Sequence, residues 1–141
     1  MKEQNMHFGE YIKMKRRKDP RELTITHVAE YIGVSRGYLC DVENLRKAPF
    51  DGEKMELLAK CLNLTEEETA LMYDLASRYN RNVPHDLMDT FLHEEVGELA
   101  RVAMRLSKGV DKPEAQWKQL IRELEAQKKG SKRGGANGGD N

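Results

Sequence analysis

Between residues 8 and 76, apolar positions recur at helical spacing in short bursts separated by turn signals. Phe8, Tyr11 and Ile12 stand at i, i+3 and i+4. They predict a first helix over about Phe8–Lys18, whose other faces carry Lys13, Lys15, Arg16, Arg17 and Lys18. The polar stretch 19–24 is stiffened by Pro20, and Thr24 is placed to cap a second helix. That helix must stop after Ile32, where Gly33 supplies a residue at ease with positive φ. Ser35 then caps a third helix running to about Asn44, with Leu39 and Val42 as its apolar side. Met55, Leu58, Ala59 and Leu62 mark a fourth helix over about Gly52–Leu62. Thr65 with Glu68 three residues on is a capping-box pattern opening a fifth, whose inward face is Leu71, Met72 and Leu75.

The pattern loosens at residues 77–85, which read as a joint. A helix from Asp86 then carries Leu87, Phe91, Val96, Leu99, Ala100 and Ala103, with a break near His93. A last helix starts around Asp111–Glu114, with Pro113 in its first turn, and carries Trp117, Leu120, Ile121 and Leu124 at i, i+3, i+4 and i+7. The expected organisation is therefore all-α. A five-helix domain occupies residues 1–78 and a helical hairpin 79–127. A Gly-rich tail, expected to be disordered, covers 128–141 and includes Lys128, Lys129, Lys132 and Arg133. A hairpin this short must cover its apolar stripe. Val96, Leu99, Ala103, Trp117, Leu120, Ile121 and Leu124 are the expected dimerisation positions, with packing onto the chain's own domain as the alternative.

Bulk properties narrow the function. The 141 residues hold 24 Lys+Arg against 24 Asp+Glu, but unevenly. Residues 1–48 have 10 basic and 7 acidic side chains, residues 49–100 have 4 and 12, and residues 101–141 have 10 and 5. A pI near 6.9 speaks against a protein that coats nucleic acid by charge alone, while leaving room for a local basic face. No run of about 18 apolar residues predicts a membrane span. The opening MKEQNMHFGE lacks an apolar signal-peptide core. Cys40 and Cys61 are too few and too far apart for a disulfide framework or a metal site, so reduced thiols in a cytoplasmic protein are expected. His93-Glu94-Glu95-Val96-Gly97 begins like a zincin motif but has Gly97 where the second histidine would stand. No nucleophile–base pair or phosphate-binding loop appears, so no enzyme activity and no cofactor are expected.

What remains is the stretch 24–49. Two short helices meet at a glycine turn, Ala29 offers a small side chain where they press together, and the second helix has a polar outward face. This is a helix-turn-helix, whose second helix enters the DNA major groove. Ala29, Gly33, Val34, Ser35, Tyr38, Leu39, Glu43, Asn44 and Pro49 also resemble the lambda-repressor-like, XRE-type helix-turn-helix regulators of phages and mobile elements. The likeness is good over about residues 8–76 and looser beyond. It implies a five-helix DNA-binding domain in which a late first-helix arginine, here Arg16, pairs with Glu43. Two positions depart from the family. Ile25 stands where glutamine often braces the reading side chains, with Thr26 and His27 as substitutes. Leu45 stands where glycine usually ends the third helix in a left-handed turn, a role Asn44 can take.

Within the helix-turn-helix, Ser35, Arg36, Gly37, Tyr38 and Asp41 are the expected base-reading positions. Arg36 has the fork that guanine O6 and N7 accept, Gly37 permits close backbone approach, and Tyr38 can meet a thymine methyl or a phosphate. Asp41 can accept from cytosine N4 or orient Arg36. Lys15, Arg17, Thr24, Thr26, His27, Asn44, Arg46 and Lys47 are the expected backbone contacts. Cys40 is expected to pack. The expected function is a sequence-specific regulator of double-stranded DNA, a dimeric repressor on a palindromic operator. The alternative is a protein-interaction module on the same fold, an antitoxin or an inhibitor of a host defence protein, with a partner on the acidic middle segment or the C-terminal helices.

Overall fold

A computed structural model describes the backbone of residues 2–138 and the side chains of residues 2–130. Among the described residues the chain is all-helical, with eight α-helices and no strand. It divides into two compact units, Met1–His93 and Glu94–Asn141.

In the first unit, α1 spans Phe8–Lys18, α2 Ile25–Ile32, α3 Arg36–Glu43, α4 Gly52–Cys61, α5 Glu66–Asn80 and α6 Met88–Leu92. The capping chemistry explains these limits. Thr24 Oγ1 accepts from the His27 amide at 3.0 Å, and Ser35 Oγ accepts from the Tyr38 amide at 3.0 Å. Thr65 and Glu68 form the reciprocal capping box of α5. The core takes Tyr11 and Ile12 from α1, Val28, Ala29 and Ile32 from α2, and Leu39 and Val42 from α3. Met55, Leu58 and Cys61 come from α4, and Met72 and Leu75 from α5. Phe50, Tyr73 and Ala76 are also buried, although the helical periodicity did not single them out. Tyr11 donates its hydroxyl to the Glu68 carbonyl at 3.1 Å. Burial, then the charges of Glu68 and Glu3, push its pKa up to about 12.

The first unit runs further than the expected boundary at residue 78. Residues 82–88 lie along α4 and α5, where the rings of Tyr73 and His85 stack at 6.4 Å. A cleft of about 90 Å³ there is lined by Phe50, Met55 and Met88. The break expected near His93 in the helix from Asp86 is present. A 3-10 turn at His85–Leu87 and α6 belong to the first unit, and α7 begins only at Val96.

The second unit holds α7, Val96–Ser107, and α8, Pro113–Gly138. Ala103, Leu106, Val110, Trp117 and Leu120 line a shallow cleft between the two helices. Backbone helix continues to Gly138, through much of the stretch expected to be a disordered tail. Between Pro113 and Gly130 the sequence has neither proline nor glycine, so a nucleated helix propagates without a break into that stretch. The side chains of Lys132 and Arg133, and residues 139–141 altogether, lie outside the described residues.

Candidate nucleic-acid interface

Two groups of contacts fix how α3 is presented. Gly33 adopts φ 78° and ψ 35°, and the Val34 amide reaches back to the Ala29 carbonyl at 2.9 Å. This left-handed turn, cheap only for glycine, redirects the chain within two residues. At the other end, the Arg16 guanidinium grips the Glu43 carboxylate with both prongs, Nε to Oε2 at 2.8 Å and Nη2 to Oε1 at 2.9 Å. Its Nη1 donates to the Leu23 carbonyl at 3.1 Å. Both side chains are buried, and the hydrogen bonds to Glu43 raise the Arg16 pKa further above its ordinary value. Fork-to-fork geometry of this kind fixes orientation as well as charge. It locks the last turn of α3 to α1 and to the loop before α2.

With α3 so held, one arc is inward and one outward. Leu39, Val42 and Glu43 are buried. At 100° per residue, Gly37, Cys40, Asp41 and Asn44 fall on the opposite arc, and Arg36 stands beside Glu43 at the edge of it, on the open first turn. Ser35, Arg36, Gly37 and Asn44 are exposed, and Cys40 and Asp41 half-buried. Ser35 Oγ is occupied as the cap acceptor, leaving its hydroxyl proton to donate outward. Gly37 has ordinary negative φ, and a Cβ added there would meet nothing within 4 Å. Nothing in the fold requires glycine at that position.

Tyr38 falls on a different part of the helix from its expected base-reading role. It is half-buried with its ring 5.4 Å from Phe50, which in turn packs edge-on against Phe8 at 6.4 Å. Lys47 Nζ sits 4.9 Å above the Tyr38 ring, a cation–π contact. Tyr38 thus supports Lys47 in the loop after α3. Asp41 faces Arg46 at 3.7 Å and not Arg36.

The end of α3 also differs from expectation. Asn44 keeps φ −98°, and Leu45 takes the left-handed conformation at φ 65°. The Leu45 amide bonds the Val42 carbonyl at 3.2 Å and the Arg46 amide the Asp41 carbonyl at 2.8 Å. This is a complete Schellman motif built on leucine. The Asn44 side chain is then available for other bonds. Its amide donates to the Cys40 carbonyl at 2.9 Å and to Cys40 Sγ at 3.3 Å, and its oxygen accepts from Lys13 Nζ at 3.3 Å.

Lys13 therefore lies at the end of α3, and Arg17, one turn along α1, shares its face. Lys15 points elsewhere. Its ammonium pairs with Glu68 and lies 3.8 Å from Glu3, between α1 and α5. Of the basic run along α1, it is thus Lys13 and not Lys15 that stands at the end of α3. The alternation of basic residues along α1 carried this signal, since 13 and 17 stack while 15 is about 200° away. Thr26 and His27 are exposed on the first turn of α2, beside its N-terminal amides. The result is a surface of Arg36, Gly37, Asn44, Arg46 and Lys47, flanked by Lys13 and Arg17, with Asp41 the acidic group on it.

Gly9, also unremarked in the sequence, makes this arrangement possible. A Cβ there would lie 2.1 Å from the Val42 carbonyl oxygen and 3.0 Å from that of Glu43. The backbones of α1 and α3 cross at glycine contact, directly under the C-terminal end of α3.

The expected hairpin positions are solvent-facing. Val96, Leu99, Leu120, Ile121 and Leu124 are exposed, Leu99 to 71%, while Ala103 and Trp117 line the cleft between α7 and α8. Among the described residues no group of three or more His, Cys, Asp or Glu side chains could hold a metal, and no helix is long and apolar enough to cross a membrane. Cys61 is buried, which raises its thiol pKa. No family model, curated protein or solved structure matches the chain.

Proposed function

We propose that the chain is a sequence-specific regulator of double-stranded DNA, built on a lambda-repressor-like five-helix domain and acting as a dimer. The carrying observation is the exposed surface of α3. A bidentate-capable arginine and a glycine that the fold does not need stand on its exposed first turn. Cations at Lys13, Arg17, Arg46 and Lys47 border the other end. Arg36 reads a guanine edge, Gly37 lets backbone meet DNA, and the bordering cations hold phosphates. The Arg16–Glu43 brace keeps the reading helix in register with α1.

Dimerisation is supported by the second unit. Among its exposed side chains are Val96, Leu99, Val102, Met104, Leu106, Leu120, Ile121 and Leu124. A set of large apolar side chains exposed on so short a helical pair is the kind of surface that a partner covers. A second copy covering this face gives the assembly two α3 helices, the number that a site with two half-sites calls for. Repression follows where such a site overlaps a promoter, because the bound dimer excludes polymerase.

Selection of bound duplexes from a random library at near-physiological salt tests the reading. An enriched inverted repeat with half-sites about ten base pairs apart is expected. Folded protein that enriches no sequence would overturn it and turn attention to a protein partner.

A further inference from the structure

Leu45 is at odds with its local physics. Left-handed backbone brings Cβ against the neighbouring carbonyl, so glycine or asparagine is the residue of choice at this step of a Schellman motif. Four other non-glycine residues adopt positive φ: Glu22, Asn63, Arg81 and Lys112, all with polar side chains suited to water. Leu45 is the apolar one among the described residues, and it remains 47% exposed. Burial therefore returns only part of what the strained backbone loses.

Its surroundings are those of the proposed DNA surface. Asn44, which holds Lys13, precedes it, and Arg46 and Lys47 follow it. Leu45 Cδ2 lies 3.0 Å from where a Gly9 Cβ would stand, so α1 backs one side of the leucine. Gly9, Lys13 and Arg17 are successive turns of one face of α1. The exposed side of Leu45 thus continues the strip that Lys13 and Arg17 border.

Resting on the DNA-binding reading above, we propose that Leu45 is an apolar DNA contact, held by Gly9 and the left-handed turn against hydrocarbon surface of the duplex. Two such surfaces are within its chemistry: a thymine C5-methyl in the groove, or the face of a deoxyribose beside a clamped phosphate. Strain kept at a half-exposed leucine is explained by a partner outside the fold.

The experiment compares the full chain with Leu45→Gly and Leu45→Asn on the site selected by the wild type. Both substitutes accept positive φ, so both variants should fold, with Leu45→Gly melting about 2–5 °C higher. Affinity should fall about fivefold or more in each. The slope of log affinity against log salt should stay unchanged, because no phosphate contact is lost. Replacing thymines one at a time by deoxyuridine then separates the two surfaces. If one position per half-site weakens the wild type and leaves Leu45→Gly indifferent, the contact is a methyl. If no position does so while both variants bind weakly, it is sugar. Unchanged affinity in both variants would overturn the proposal, as would a shallower salt slope, which would mean that Arg46 and Lys47 had moved. A lower melting temperature for Leu45→Gly would show that the side chain serves the fold. Wild-type protein that is folded and binds no duplex would remove the DNA-binding reading itself.

Discussion

Replacing Gly37 by alanine should strengthen the fold and weaken the complex. Gly37 is the second residue of α3, and a Cβ added to it would meet nothing beyond its own helix within 4 Å. In a helix, alanine is favoured over glycine by about 0.5–1 kcal/mol, because glycine loses more backbone freedom on folding. With no clash to set against it, Gly37→Ala should stabilise by roughly half a kcal/mol. That is a rise of about 2–4 °C in Tm for a domain of this size. On DNA the same methyl stands where backbone and base edge meet. Holding them apart loses a contact worth about 1–3 kcal/mol, so binding should weaken roughly tenfold. Thermal unfolding by circular dichroism and fluorescence anisotropy on a labelled selected duplex, at one salt concentration, read both quantities. A raised Tm with unchanged affinity would refute the placement of the first turn of α3 against DNA. A lowered Tm would refute the inference that the fold has no need of glycine there.

Gly9→Ala should do the reverse: with Cβ 2.1 Å from the Val42 carbonyl, α1 and α3 must separate, costing about 3 kcal/mol or more, measured by urea unfolding. A wild-type midpoint would mean that the crossing is loose. Glu43→Ala leaves the buried Arg16 without its carboxylate and should destabilise by about 3–5 kcal/mol, whereas Arg16→Met with Glu43→Leu should recover much of the stability without the register. Equal losses in the single and double variants would contradict this. Below pH 4 the domain should weaken. Hydrogen bonds from Arg21 hold Asp19 down at about 2, and bonds from Lys15 and then Thr65 hold Glu68 below its usual range. Carboxylates with depressed pKa stabilise fully above their unfolded value near 4, and that contribution is lost as pH falls towards 2. Arg21→Ala should flatten this acid limb in a pH series of melts, and an unaltered limb would exclude Asp19 as a source.

The limits of α2, α3 and α5 were legible in the sequence because local chemistry sets them. Thr24, Gly33, Ser35 and Thr65 act within four residues of themselves, and their caps stand where the pattern places them. The Arg16–Glu43 contact was legible only through resemblance, since nothing local ties residues 27 positions apart. What escaped was decided by tertiary approach. Gly9 is a glycine because another helix's carbonyls lie against it, and no periodicity records that. Helical phase puts Lys13 and Lys15 on different faces of α1, but which neighbour, Asn44 or Glu68, meets each is decided by tertiary approach. Tyr38 reads as polar surface until Phe50 arrives beneath it from beyond the loop. Leu45 took the left-handed turn from Asn44 because the Schellman bonds form one residue later, leaving the asparagine amide to Cys40.

Parallel selections with the wild type and Arg36→Ala test the central claim most directly, because Arg36 is the exposed first residue of α3 and carries no bond that the fold depends on. Both proteins should enrich the same inverted repeat. In the variant, one position in each half-site, a guanine in the wild-type motif, should lose its preference while the spacing persists. An identical motif from the variant, or no motif from either folded protein, would contradict the assignment of α3 as the reading helix.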